Sequence, residues 1–176
     1  MYQPAHHRED RLDVQHALIK SHPFGLLISS GAEGLLANAI PFLLQPAPGP
    51  LGTLEAHMAR ANGQWRDIDG QQVLVVFQGS QAYVSPSFYE TKRETGKVVP
   101  TWNYAMVQVR GVARLRADPD WLGKQIEALT TRHEKDRAPS WAVSDAPRAY
   151  IESQLRGIMG IEIEIAAIEG KWKVSQ

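Results

Sequence analysis

Between two strand-like segments lies a stretch dense in planar and hydrogen-bonding side chains. Ser85-Pro86-Ser87-Phe88-Tyr89 leads through Lys92 and Lys97 into Val98-Val99-Pro100-Thr101-Trp102-Asn103-Tyr104. Chain reversal needs only a turn, so rings, hydroxyls, an amide and cations gathered here exceed what a hairpin connection requires. Two readings follow. Tyr83, Tyr89, Trp102 and Tyr104 can wall a pocket for a planar ligand, or they can pack together with their polar atoms tied to backbone. Four such rings beside proline-containing turns favour the pocket without naming its occupant.

Other cations stand elsewhere. Glu55-Ala56-His57-Met58-Ala59-Arg60-Ala61-Asn62 carries a guanidinium fork suited to phosphate, and equally suited to a surface ion pair. His57 reads as a hydrogen-bonded structural histidine. Lys92 and Lys97 either neutralise a phosphate or face solvent. In Gly170-Lys171-Trp172-Lys173-Val174-Ser175-Gln176, alternation either turns Trp172 inward and both lysines outward, or directs a cation and Ser175 at an anion. His6, His7, His16, His22 and His133 lack metal-ligand spacing, and His133-Glu134 reads as a solvated helix end. Cysteine is absent, which removes disulfides, thiolate catalysis and sulfur-ligated metals. No Gly-x-Ser-x-Gly elbow, Walker sequence or dinucleotide-binding glycine pattern occurs.

Several strands must carry these residues. Asp10 is the expected cap of a helix holding Leu12, Leu18 and Ile19, stopped at His22-Pro23. Strands are expected over residues 24–30, 35–44 and 53–61, with Pro41 marking an edge or bulge. Val73 to Phe77 reads as a strand buried on both faces, interrupted at Gln78-Gly79-Ser80. Met106 to Leu115 alternates, placing Val107, Val109 and Gly111 on one face. Asp118-Pro119 then opens a helix to about Arg132, on the spacing of Trp121, Leu122, Gln125, Ile126 and Leu129. Asp145 is the expected cap of another, with Tyr150, Ile151 and Leu155 inward. Ile161, Ile163 and Ile165 form a late, half-solvated strand. Strands, then helices, then a returning strand suit a small β-barrel with peripheral helices, a mainly β, α+β chain, rather than βαβ units.

At 176 residues, with no repeat and no clear boundary, the chain reads as one domain spanning 1–176. Net charge is zero, yet Arg60 to Arg116 holds eight Lys or Arg against four Asp or Glu. That excess can present a local field to phosphate but falls short of a face that grips nucleic acid unaided. The N-terminus lacks the apolar run of a signal peptide, and no apolar run is long enough to span a bilayer. A cytoplasmic protein with no membrane partner is the expectation.

These residues closely resemble the PaiB-like family of FMN-binding negative transcriptional regulators, related in fold to the flavin-binding split barrels. The resemblance runs from Met1-Tyr2-Gln3-Pro4 with His6, through residues 55–62 and Val75-Val76-Phe77-Gln78-Gly79, to the central motifs Tyr83–Tyr89 and Val99–Tyr104. Trp121-Leu122, His133-Glu134, Gly160-Ile161-Glu162-Ile163 and Lys171–Gln176 extend it over essentially the whole chain. Gly63 stands where the family usually has proline, and Phe88 where it commonly has tryptophan. Relatives often continue past the Ser-Gln pair, so a further C-terminal tail after residue 176 is expected of the family.

The resemblance implies an FMN-binding split β-barrel, homodimeric, with FMN near the subunit interface. Arg60, Lys92 and Ser85 or Ser87 then become candidates for the phosphate, and Trp102, Asn103 and Tyr104 for the ring. Lys171, Lys173 and Ser175 would complete the site from another strand or subunit. Asn62, Tyr89 and Thr101, in the same motifs, join the candidate contacts. The implied function is negative regulation through DNA or a regulatory protein partner, although no helix-turn-helix is present. The alternative is a flavin-dependent oxidoreductase acting on a small-molecule substrate, with His57, Tyr104 and His133 as proton-transfer candidates. A non-catalytic interaction protein is the third reading.

Overall fold

The computed structural model describes residues 1–32, 34–47 and 49–174. A two-residue strand, β1 (Arg8–Glu9), leads into α1 (Leu12–Ser21). The hairpin β2 (Phe24–Gly31) and β3 (Gly34–Pro41) is followed by β4 (Leu43–Gln45) and β5 (Thr53–Ala59). Two long strands, β6 (Gln72–Val84) and β7 (Thr101–Arg116), flank the short helix α2 (Thr91–Glu94). Helices α3 (Pro119–Glu134) and α4 (Arg148–Arg156) precede β8 (Ile158–Lys173), which returns through the whole sheet.

One antiparallel sheet results, in the order β3-β2-β6-β7-β8-β5-β4, with β1 added on β8. Period-two burial makes it curl. Leu27, Leu54, Ala56, Val75, Phe77, Val107, Val109, Ile161 and Ile163 all point into a single core, to which α1 adds Leu18 and Ile19. The two ends of the strand order are not hydrogen-bonded to each other, so the barrel stays open. A register shift between Arg110 and Gly111 bends the β7–β8 ladder. A Cβ at Gly111 would lie 2.1 Å from the Glu164 carbonyl oxygen, so only glycine permits that approach.

Helix α3 covers the outer face of β5 and β8. Asp118 caps it as expected, accepting from the Trp121 amide at 3.1 Å. Gly160 leaves room for the Trp121 ring, whose Cζ3 would sit 2.4 Å from an added Cβ. Beside it, His57 Nδ1 lies 2.7 Å from Oε1 of the buried Gln125, which makes His57 the structural histidine the sequence suggests.

Several local expectations are overturned. Asp10 does not cap α1. It accepts from the Arg8 guanidinium at 2.9 Å, and Glu9 instead accepts the Arg11 amide at 2.9 Å. Asp145 accepts from the Ala142 amide at 2.8 Å, closing a separate turn ahead of Pro147 rather than capping α4. Tyr150 is exposed, because α4 packs at the surface against α3 and buries no residue fully. β6 is not interrupted: it runs on through a bulge between Gln78 and Gln81, where Leu18 of α1 fits against Gly79. Nor is it buried on both faces. Val73, Val75 and Phe77 are inside, while Leu74 and Val76 are only half-buried.

Candidate functional site

The second half of the polar-aromatic stretch is strand, not loop. Past the bulge, Gln81 pairs with Tyr104, Tyr83 with Trp102 and Val84 with Thr101, so the β6–β7 ribbon projects beyond the region filled by the core. Tyr83 and Trp102 meet edge to face, centroids 6.0 Å apart, and both stay more than half exposed. The connection is fastened by its own hydroxyls. Ser85 Oγ accepts from the Ser87 amide at 3.2 Å, and Ser87 Oγ accepts from Lys92 Nζ at 3.2 Å. Tyr89 and Asn103 are half-buried in the same region.

The last strand brings its cations to this ribbon. In the β7–β8 ladder Tyr104 faces Lys173, and Met106 faces Lys171. Trp172 turns inward against the core, one of the two arrangements alternation allows, so both lysines lie on the outer face. Lys173 Nζ donates to Thr101 Oγ1 and, at 2.8 Å, to the Trp102 carbonyl.

Lys171 departs from the expectation of a solvated outward lysine. It is 8% exposed, its ammonium 5.2 Å from the Tyr2 ring and 5.5 Å from the Tyr104 ring. The N-terminal segment buries it. β1 pairs with Gly170 and Lys171, and Gln3 Nε2 donates to the Gly170 carbonyl at 2.6 Å. Among the described residues no carboxylate pairs with Lys171. The nearest acid along the strand, Glu169, is taken by Arg110 and by the N-terminal ammonium at 3.0 Å, and the Arg110 hydrogen bond leads in holding its pKa down.

His7 stands beside the same two lysines. Its Nδ1 is buried without a hydrogen-bond partner. Burial, then the positive neighbours His6, Lys173 and Lys171, pulls its pKa below the ordinary imidazole value. A buried ammonium between two tyrosine rings, a second lysine and an unpartnered imidazole nitrogen form a site in need of an anion. Tyr2 and His7 were not among the residues the sequence singled out for this site. For Tyr2 the one signal was its place in the opening motif, and His7 lies next to that motif's His6, both more than 160 positions from Lys171.

Arg60 and Asn62 lie elsewhere. Ala59 pairs with Ile158, at the far end of β8 from Lys171, and the Arg60 amide donates to the Gly157 carbonyl at 2.8 Å. The Arg60 guanidinium rests 6.0 Å from the Trp65 ring centroid. Asn62 Oδ1 accepts from the Gln64 amide at 3.1 Å, capping the turn over Gly63–Asp67. One protomer therefore unites Thr101, Trp102, Tyr104, Lys171 and Lys173, with Ser85, Ser87, Tyr89, Lys92 and Asn103 on or beside the same ribbon. It does not bring Arg60 and Asn62 to them. Ser175 lies outside the described residues. The three proton-transfer candidates are also dispersed: His57 is under α3, Tyr104 beside Lys171, and His133 exposed at the end of α3.

On the outer face next to this cluster, the exposed Leu26 and half-buried Ile28 of β2 pair with the half-buried Val76 and Leu74 of β6, an apolar strip that runs into Gln108 and Arg110 of β7.

Comparison with known proteins decides the family. Residues 1–167 match the family model FMN_bind_2, described as "Putative FMN-binding domain". The chain belongs to this family. A protein of Emericella nidulans is 38% identical, covering 100% of this chain and 84% of its own length. The Bacillus subtilis "Protease synthase and sporulation protein PAI 2" is 28% identical over 100% of this chain and 82% of its own. In three dimensions the chain resembles the FAD and heme binding protein of Mycobacterium smegmatis, with TM-score 0.68 at 15% identity, covering 94% of this chain and 73% of that one. The open barrel is thus the split barrel of the flavin-binding proteins, and the cofactor of the FMN_bind_2 family is FMN.

Proposed function

We propose that this protein is an FMN-binding negative regulator that works as a cytoplasmic homodimer. The observation that carries the cofactor reading is Lys171, a buried cation between Tyr2 and Tyr104 with no carboxylate partner among the described residues. FMN combines a planar ring system with a dianionic phosphate, and the cluster offers aromatic walls beside unneutralised cations. The fit is one of chemistry. Trp102, Asn103 and Tyr104 supply the wall. Lys171 and Lys173 supply positive charge, and Ser87, Lys92 and Thr101, with Ser85 and Tyr89 shaping the turn, supply donors for phosphate oxygens. This set leaves out Arg60 and Asn62, which lie at the far end of β8 from Lys171.

The uncovered strip of Leu26, Ile28, Leu74 and Val76 supports the dimer. A sheet face this apolar, adjoining the cofactor cluster, is buried most economically by a second copy that also closes the flavin site. Zero net charge and the lack of a helix-turn-helix favour repression through a regulatory protein partner over unaided operator binding.

Bound flavin would supply redox chemistry, and Lys171 keeps a flavin-dependent oxidoreductase as the second reading. A cation held beside a flavin favours its negatively charged, reduced form. The chain's own part is then to orient the ring against Trp102 and Tyr104.

Purification without added cofactor, followed by an absorption spectrum, released-ligand mass and light scattering, tests the proposal. A yellow dimer releasing FMN is expected. A colourless protein that also rejects added FMN would overturn the cofactor reading. Substrate-dependent flavin turnover above free-flavin chemistry would shift the conclusion to the enzyme. Salt-resistant, sequence-preferring DNA binding would replace the protein partner with an operator.

A further inference from the structure

At the far end of β8 from Lys171 a separate cavity opens between α3, α4 and the end of β5. Its volume is about 670 Å³, within the roughly 300–1,000 Å³ that small-molecule sites occupy. Ala117, Pro119, Leu122 and Leu155 give it apolar walls, and Arg60 and Arg156 stand at it as cations. Glu152, its one acid, already binds Arg148 at 2.8 Å. Among the described residues neither Arg60 nor Arg156 forms an ion pair. Arg60 is held over Trp65, and that indole donates to the Arg60 carbonyl at 3.0 Å, so its position is built rather than incidental.

Two uncommitted guanidinium groups at an apolar-walled cavity match one ligand chemistry: a carboxylate on an apolar body. The anion takes the arginine forks and the body displaces water from the leucine and proline walls. We propose that this cavity binds a small amphipathic carboxylic acid, at a site distinct from the flavin cluster. Helix α4 is the element such a ligand would hold. It has no fully buried residue of its own, and Leu155 and Arg156 both come from its last turn. Occupancy therefore docks α4 on α3, which gives a regulator a second input at a surface helix.

Calorimetry on the full-length, as-purified protein tests this, with octanoate and 1-octanol as probes. Octanoate should bind about tenfold more tightly than the alcohol, and Arg156→Glu should weaken octanoate about tenfold or more while leaving 1-octanol unchanged. Arg156→Lys should keep part of the affinity. Hydrogen exchange over residues 148–156 should slow when octanoate is present. Flavin content should be the same in Arg156→Glu as in the parent. Equal affinity for acid and alcohol, octanoate binding indifferent to Arg156→Glu, or release of flavin by octanoate would each overturn the proposal. The titration reads heat and exchange, not colour, so it decides this cavity even if the protein proves flavin-free.

Discussion

Replacing Lys171 by methionine should stabilise the flavin-free protein and weaken FMN binding. Methionine, an unbranched side chain one atom shorter, removes the ammonium, which is 8% exposed and lacks a carboxylate among the described residues. Of the two cation–π contacts, the one to the exposed Tyr2 ring returns about 0.5–1 kcal/mol and the one to the half-buried Tyr104 ring up to about 2 kcal/mol. Desolvating the ion costs several kcal/mol, and exchanging buried charge for a packed apolar group gains roughly 1–4 kcal/mol in comparable cases. A net gain of about 1–3 kcal/mol is expected, or roughly 3–10 °C in Tm for a chain of this size. Against that, losing one charge-assisted bond to the ligand costs about 1.5–3 kcal/mol, a drop of roughly 10- to 150-fold in FMN affinity. Thermal melts of flavin-free protein and FMN fluorescence titrations read the two halves separately. A lower Tm in the flavin-free variant together with unchanged FMN affinity would refute the reasoning, because Lys171 would then be a structural cation.

Other tests follow the same geometry. Leu74→Glu should split the dimer, since a carboxylate in the uncovered strip would be buried against its own copy; light scattering would report the mass. Gly160→Ala should cost about 2–3 kcal/mol, because the new Cβ meets the Trp121 ring at 2.4 Å and the Arg116 carbonyl at 2.7 Å; denaturant unfolding measures it. Acid should destabilise in two stages. His7, with its pKa lowered, is neutral in the fold and protonated in the unfolded chain below the ordinary imidazole value, so stability falls first there as pH drops. Glu9, held at about 2 chiefly by the Arg11 side chain, loses its contribution as pH falls from the unfolded carboxylate value towards 2, and Glu9→Gln should flatten that second stage of a pH series of melts. Trp102→Ala should change the flavin-free Tm little, since the indole is 54% exposed, yet weaken FMN binding, which the fluorescence titration detects.

Much of the framework was legible in the pattern of residues. The alternation of Ile161, Ile163 and Ile165, the spacing from Trp121 to Leu129 and the Asp118-Pro119 start are local signals, and each produced the element it implied. Caps failed where a charged neighbour competed. Asp10 and Asp145 have the chemistry of caps, but Arg8 and the Ala142 amide claim them first. Val73 to Phe77 looked buried on both faces because apolar composition cannot distinguish a covered face from a half-buried one.

The candidate site divides along the same line. Sequence by itself determined that the stretch from Tyr83 to Tyr104 carries planar and polar groups, and that Lys171 and Lys173 share one side of the chain on either side of Trp172. Both follow from residue type and the two-residue period of a strand. Only the tertiary structure decided that Lys171 is buried, because its burial comes from Tyr2 and the β1 pairing, contacts made across almost the whole chain. It also decided that Arg60 stands at the opposite end of β8, beside a different cavity. Register fixes that separation: β8 is 16 residues long, and a strand this long sets its two ends far apart in space.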